Sequence, residues 1–263
     1  MLVLTHLSLA TVDQLFRYKA AGFTLPPFPG YSDDQWGIKA HNRPWIEAAG
    51  RFAPGQRVIE VGGAYSTLPL YLGQKYGLEP WVGDDFGAAE GEPLWARWGN
   101  PRELPARFPA VRYVFEPFGR YSPAYPSASF DRVFSVSTLE HIPKAAIVDV
   151  MRDMHRCLRP GGLELHSIDI SPSPRVHLAG AALYAASRAS GRPLRLLNSV
   201  HSWLRIFELS GVRVAARAPG LAQLLDRRTL VESPDVVYRF YPPAGAPKPY
   251  QPGASLLALI ERR

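Results

Sequence analysis

Short apolar runs alternate with helical stripes along most of the chain. Arg57–Val61 is a compact run rich in β-branched residues that ends in Gly62 and Gly63, and Ser66–Lys75 then takes up helical spacing and closes on Gly77. That is strand, tight turn, helix. Further strands are predicted at Pro80–Asp84, Val111–Phe115, Asp131–Val136 and Leu163–Ile170, short and continuous enough for the buried centre of a parallel sheet. From Pro143 to Leu158 the residues Ile147, Val150, Met151, Met154 and Leu158 fall on one helical face, and Arg159-Pro160-Gly161-Gly162 ends the run. Ser199–Leu209 predicts another helix, with Asn198 as N-cap, Gly211 as terminator and Val200, Trp203, Leu204 and Phe207 on one side. Strands at Val212–Ala216 and Ser255–Ile260 follow.

Alternating β and α elements imply a doubly wound α/β sheet whose ligand crevice lies beyond the carboxyl ends of its first strands. Residues 1–50 read as a polar, helical and looped lead-in, with Asn42–Ala49 a short helix that carries Pro44 in its first turn and Gly50 past its end. Residues 51–263 form the main domain. Pro and Gly cluster in loops at Thr24–Tyr31, Glu116–Ser127 and Tyr241–Gly253, and no internal repeat is present.

Composition narrows the classes. With 263 residues, 46% hydrophobic and 20% charged, the chain can bury one large core. No apolar run approaches the roughly 20 residues that span a bilayer, and Met1–Ala10 lacks the basic stretch that opens a signal peptide. The single cysteine, Cys157, allows no internal disulfide and no Cys-rich zinc site, so a reducing cytoplasm is expected. The net charge of +7 sits late in the chain, where residues 151–263 hold 16 Lys/Arg against 8 Asp/Glu. Those arginines come singly between apolar residues and read as a solvated face, so no nucleic-acid partner is expected. The seven histidines show no metal-binding spacing.

The turn Glu60-Val61-Gly62-Gly63-Ala64 lets backbone approach a ligand closely, but it lacks the third glycine of a pyrophosphate-binding fingerprint. A ligand with an amine and a ribose but no phosphate suits it better, Glu60 being placed to attract the amine. Asp84-Asp85, after the second strand, can accept ribose hydroxyls, or can serve as an N-cap or a solvated pair. Taken with Phe130–Ser135 running into Leu139-Glu140-His141, and with Leu158–Gly162, these motifs resemble the ordered set of class I S-adenosylmethionine-dependent methyltransferases, in the small-molecule, type 11-like branch. The resemblance covers roughly residues 42–263 and implies a Rossmann-like, mostly parallel seven-stranded sheet with its last strand antiparallel. It also implies S-adenosylmethionine as cofactor, held by Glu60, Gly62, Gly63, Ala64, Asp84, Asp85, Ser135 and Ser137.

Three departures stand out. Ala64 replaces the family's last turn glycine, Glu116-Pro117-Phe118-Gly119 replaces the usual acid beside adenine, and Ser135-Val136-Ser137-Thr138 stands where base-amino methyltransferases carry Asn/Asp-Pro-Pro-Tyr/Phe. The expected reaction is methyl transfer to the O or N atom of a small-molecule or sugar-like acceptor. His141 and Asp169 are the candidate bases, and each has a structural alternative as a capping or loop residue. His166 reads as a core histidine. The acceptor pocket is expected from Thr24–Trp45, where Phe28, Tyr31, Trp36 and Trp45 form a lid or cover the sheet, and from Ser171–Ser199. A non-catalytic relative, an RNA methyltransferase and an NAD(P)-dependent oxidoreductase are the alternatives.

Overall fold

In the computed structural model the described residues are 1–27, 38–85, 99–191, 197–232 and 252–263. They build one mixed sheet. Its strands are β1 (Leu2–Leu9), β2 (Arg57–Val61), β3 (Glu79–Gly83), β4 (Arg112–Val114), β5 (Phe130–Val136), β6 (Leu158–Ile170), β7 (Val212–Val214), β8 (Val231–Glu232) and β9 (Gly253–Arg262). The order is β4-β3-β2-β5-β6-β9-β1-β7, with β8 paired to β9. The pairs among β2 to β6 are parallel, as is β1 with β7, whereas β9 runs antiparallel to β6, β1 and β8.

The parallel centre and the antiparallel last strand agree with the expectation; the strand number does not. Nine strands replace seven among the described residues, and residues 2–9 form a central strand of the domain instead of a helical lead-in. The reason is local. The β1–β9 register shifts between Leu4 and His6, so buried Val3 and Leu4 are adjacent while Leu7 and Leu9 resume the alternation. A bulge of this kind removes the period-two signal from the sequence.

Alternation elsewhere divides the core into two layers. Ile59, Val61 and Val133 face one layer with α4 (Ile147–Cys157) and α6 (Val200–Leu209), and Val58, Phe134 and Leu165 face the other with α2 (Lys39–Ala49) and α3 (Leu68–Tyr76). α1 (Val12–Ala20) precedes α2, and α5 (Pro174–Ser190) lies between β6 and α6. The stripe Ile147, Val150, Met151 and Met154 is buried as its spacing predicts. α6 is capped by Ser199, one residue after the expected Asn198, and its hydroxyl accepts the Ser202 N–H at 3.3 Å. Asn198 is engaged elsewhere: its Nδ2 donates to the Asp169 carbonyl at 2.7 Å, tying the end of β6 to the start of α6.

A polar chain crosses the first layer. Glu164 Oε1 lies 2.8 Å from His155 Nδ1, its Oε2 lies 3.4 Å from His166 Nε2, and His166 Nδ1 meets Ser135 Oγ at 2.9 Å. His155 Nε2 continues to Ser210 Oγ at 3.1 Å. Burial acts to raise the Glu164 carboxyl, but His155 and His166 outweigh it and hold the group at about 2, below its ordinary 4.5. Its contribution to stability is therefore complete above about pH 4.5 and is lost as the pH falls through about 2. Glu164→Ala, which strips both imidazoles of a buried partner, is expected to lower unfolding free energy by about 3–5 kcal/mol at pH 7. Urea denaturation at pH 7 checks this, and the wild-type advantage should narrow below pH 4.

Candidate active site

The carboxyl ends of β2, β3, β5 and β6 converge on one rim, and three left-handed residues shape it. Gly62 has φ 69°, and a Cβ there would meet Thr138 Cγ2 at 2.0 Å, so the turn requires glycine for both conformation and space. Ala64 and Ser137 also occupy the left-handed region, at φ 43° and 48°. Left-handed non-glycine residues are costly and are tolerated where surroundings hold them in place. Here the holding contacts are visible. Ala64 N–H donates to Asp84 Oδ2 at 2.9 Å, Gly62 N–H donates to the Gly83 carbonyl at 2.8 Å, and Thr138 Oγ1 donates to the Gly62 carbonyl at 3.1 Å. The glycine turn and the acid after β3 thus form one rigid piece.

Asp84 stands at the end of β3, where a carboxylate can accept hydroxyl donors; Asp85 is exposed beside it. Gly63 is tightly placed, since a Cβ there would lie 3.1 Å from Glu60 Cγ and from Val82 Cγ1. Glu60 itself is 2% exposed on the α2-facing side of β2. Its charge faces the buried Arg43 of α2, whose guanidinium is lowered to about 10 by burial and supported by Glu60. Electrostatically, Glu60 acts on Arg43 beneath the turn.

Ser135 and Ser137, read from sequence as a pair, have different surroundings. Ser135 is fully buried and its hydroxyl belongs to the His166 chain in the core, which corrects its expected place in the cofactor crevice. A residue inside a strand points by parity, and parity sends Ser135 toward α4. Ser137, released from that alternation by its left-handed backbone, sits at the rim between Asn42 Nδ2 at 3.2 Å and Asp169 Oδ1 at 3.0 Å.

Asp169 faces a second carboxyl, Glu140, whose side chain is 5% exposed. Both are pushed upward, chiefly by burial, and for Glu140 also by the Asp169 charge; the Lys39 ammonium opposes the rise. Glu140 carried only a motif resemblance in the sequence, and its partnership with Asp169 across the ends of β5 and β6 had no local signal. His141 has an exposed ring, with Nε2 3.7 Å from Glu140 Oε1. The surrounding protein and the Lys39 charge lower its ordinary value of 6.5, so the ring is neutral at pH 7.

The pocket-forming aromatics are partly placed. Trp45 is buried in the α2–α3 layer and covers the sheet. Phe28, Tyr31 and Trp36 lie outside the described residues. Within Ser171–Ser199, α5 carries His177, whose ring packs edge to face on His201 of α6 with centroids 4.8 Å apart. No group of three or more His, Cys, Asp or Glu among the described residues is arranged to hold a metal ion. No helix of the described residues is long and apolar enough to cross a membrane.

Residues 101–165 match the family model described as Methyltransferase domain. No curated protein matches the sequence. Among solved structures, the YcgJ protein of Bacillus subtilis superposes with a TM-score of 0.51 at 14% identity, over 84% of this chain and 97% of that one. A Bacillus halodurans protein described as a candidate methyltransferase gives 0.51 at 12% identity, over 84% and 98%. Phosphoethanolamine N-methyltransferase 2 of Haemonchus contortus, in complex with S-adenosyl-L-methionine, gives 0.50 at 14% identity, over 95% of this chain and 57% of that one. The methyltransferase-domain match over residues 101–165 thus lies on a Rossmann-like sheet that carries a glycine turn and an acid at its carboxyl rim, a fold shared with these solved structures.

Proposed function

We propose that the protein methylates a small-molecule or sugar-like acceptor at the rim formed by β2, β3, β5 and β6. The observation that carries this reading is the Asp84–Ala64 hydrogen bond, which fixes a ribose-accepting carboxylate against a glycine turn that admits close backbone approach. S-adenosylmethionine supplies an already activated methyl group when bound. In this reading Gly62, Gly63 and Ala64 lie along its methionine and adenosine portions, Asp84 accepts from the ribose with Asp85 at the edge, and Ser137 borders the methyl end. Glu60, buried beside the turn, offsets the Arg43 charge. The acceptor enters from the side of Glu140, His141 and Asp169, and α5 forms one wall.

The protein's main task is then to align an acceptor atom with the methyl group at about 3–3.5 Å and to keep water out. A hydroxyl acceptor also gains from a base. His141 fits that role because its ring is exposed at the rim and neutral at pH 7. The separate late-chain arginines support a small acceptor over RNA, and a cytoplasmic setting accords with the single buried Cys157.

Binding and kinetics both test the reading. S-adenosylhomocysteine at 100 times its Kd should stabilise the fold by about 2.7 kcal/mol, measured as a thermal shift. Asp84→Ala should weaken binding by roughly 1–3 kcal/mol in isothermal titration, with Asp85→Ala nearly silent, while Gly62→Ala should abolish the shift. His141→Ala should lower kcat on a hydroxyl acceptor by about 10²–10⁴ with cofactor affinity unchanged. Wild-type kcat should rise with pH through a midpoint below 6.5, because only the neutral ring takes a proton. A flat pH profile in steady-state kinetics would leave transfer to proximity alone.

A further inference from the structure

Two carboxyls meet where β5 and β6 end, and the hydrogen bonds around them are unequal. Asn42 Nδ2 donates to Ser137 Oγ at 3.2 Å, and Ser137 Oγ donates to Asp169 Oδ1 at 3.0 Å. Behind Asn42 the line continues to His41, whose Nδ1 lies 3.3 Å from Asn42 Oδ1 and whose Nε2 lies 3.2 Å from Gln14 Oε1. Asn42 and Ser137 thus both donate in the direction of Asp169, and the Lys39 ammonium of α2 favours its charge. Asp169 is also partly exposed at the rim.

Glu140 has the opposite surroundings. Its side chain is 5% exposed, and neither carboxyl oxygen receives a hydrogen bond. His141 Nε2 stands 3.7 Å from Oε1, beyond hydrogen-bond distance, and its ring is neutral at pH 7. What Glu140 does face within hydrogen-bond reach is Asp169. Two carboxylates withdrawn from water and in contact cannot both ionise, so a proton lies between them. The donors already engaged on Asp169 decide which of the two keeps it.

We infer that Glu140 carries this proton and donates to Asp169, and that Asp169 thereby stays ionised at the rim as the group that takes a hydrogen bond from the methyl acceptor. Glu140 is a positioning residue and Asp169 a binding one, which leaves the acceptor's proton to His141. The charges from neighbouring elements agree. Burial raises both carboxyls, but on Asp169 it is opposed by Lys39, Ser137 and the Glu140 hydrogen bond, whereas on Glu140 the Asp169 charge adds to it. Glu140 accordingly stands well above its ordinary 4.5, against the pull of its own backbone amide and of Lys39. Glu232 of β8 is raised too, by burial and by the Asp169 charge, against the Ile38 N–H that it accepts and against Lys39. The binding role of Asp169 rests on the methyltransferase reading; the place of the proton does not.

Infrared spectroscopy of the full chain at pH 7, with a heavy-carbon label at the glutamate side-chain carboxyl, tests where the proton sits. The unlabelled wild-type spectrum minus that of Glu140→Gln should contain a protonated carboxylic C=O band, and that band should move to lower frequency with the label. No such band, or a band that ignores the label, would overturn the inference. Should Glu140→Gln fail to fold, the wild type alone must still show a label-sensitive protonated band, and its absence would overturn the inference equally. Steady-state kinetics on a hydroxyl compound that the wild type methylates reads the binding role. Asp169→Asn and Glu140→Ala should each raise acceptor KM by about tenfold or more with a smaller change in kcat, and Glu140→Gln, which keeps a donor toward Asp169, should recover most of that loss. An unchanged KM in Asp169→Asn would overturn the binding role. A protein that methylates no hydroxyl compound would overturn it together with the hydroxyl reading above, while the infrared result still decides the place of the proton.

Discussion

The antiparallel ladder of β9 holds the molecule together. β9 hydrogen-bonds to β6 from Leu163 to Ile170 on one side and to β1 from Leu2 to Leu9 on the other. Without it the parallel block β4-β3-β2-β5-β6 and the β1-β7 pair would share no edge. Leu256 and Ile260 point into one layer while Leu257 and Leu259 point into the other, so the strand closes both at once. Such a central strand is buried on both faces and cannot slip by one residue without reversing every side chain.

That rigidity is what allows strain at the rim. Gly62, Ala64 and Ser137 all hold left-handed backbone within a few residues of strand ends. Each is fixed by a contact to another element: Gly62 to Gly83 and Thr138, Ala64 to Asp84, and Ser137 to Asn42 and Asp169. The costs sit where ligands approach and are offset by the sheet behind them. Polar burial follows the same division. Glu164 and its histidines are satisfied deep in one layer, while Asp169 and Glu140 lie at the edge, where a proton can be exchanged.

The strong periodic elements were legible in the sequence. The β2 run, the α4 stripe and the glycine turn are local patterns, and their burial follows from spacing alone. Asp84 was legible as an acid after a strand, and the structure adds what holds it in place. β1 was not legible, because its bulge breaks the alternation. The Ser135 assignment failed on parity, which needs the sheet's facing layer to be known. The link from Gln14 to Asp169 joins residues far apart in the chain, each unremarkable on its own, and only the fold brings them within hydrogen-bond distance.

The place of β9 in the sheet also governs how the chain can assemble. β1 is synthesised first, yet its neighbour β9 follows roughly 250 residues later, as the pairing of His6 with Leu259 makes plain. During translation β1 carries an apolar, unpaired edge for the whole of that interval, and the parallel block must form around a missing strand. Folding is therefore expected to be slow and to finish in a late step, and the period before that step is when the nascent chain is most exposed to mispairing with other strands.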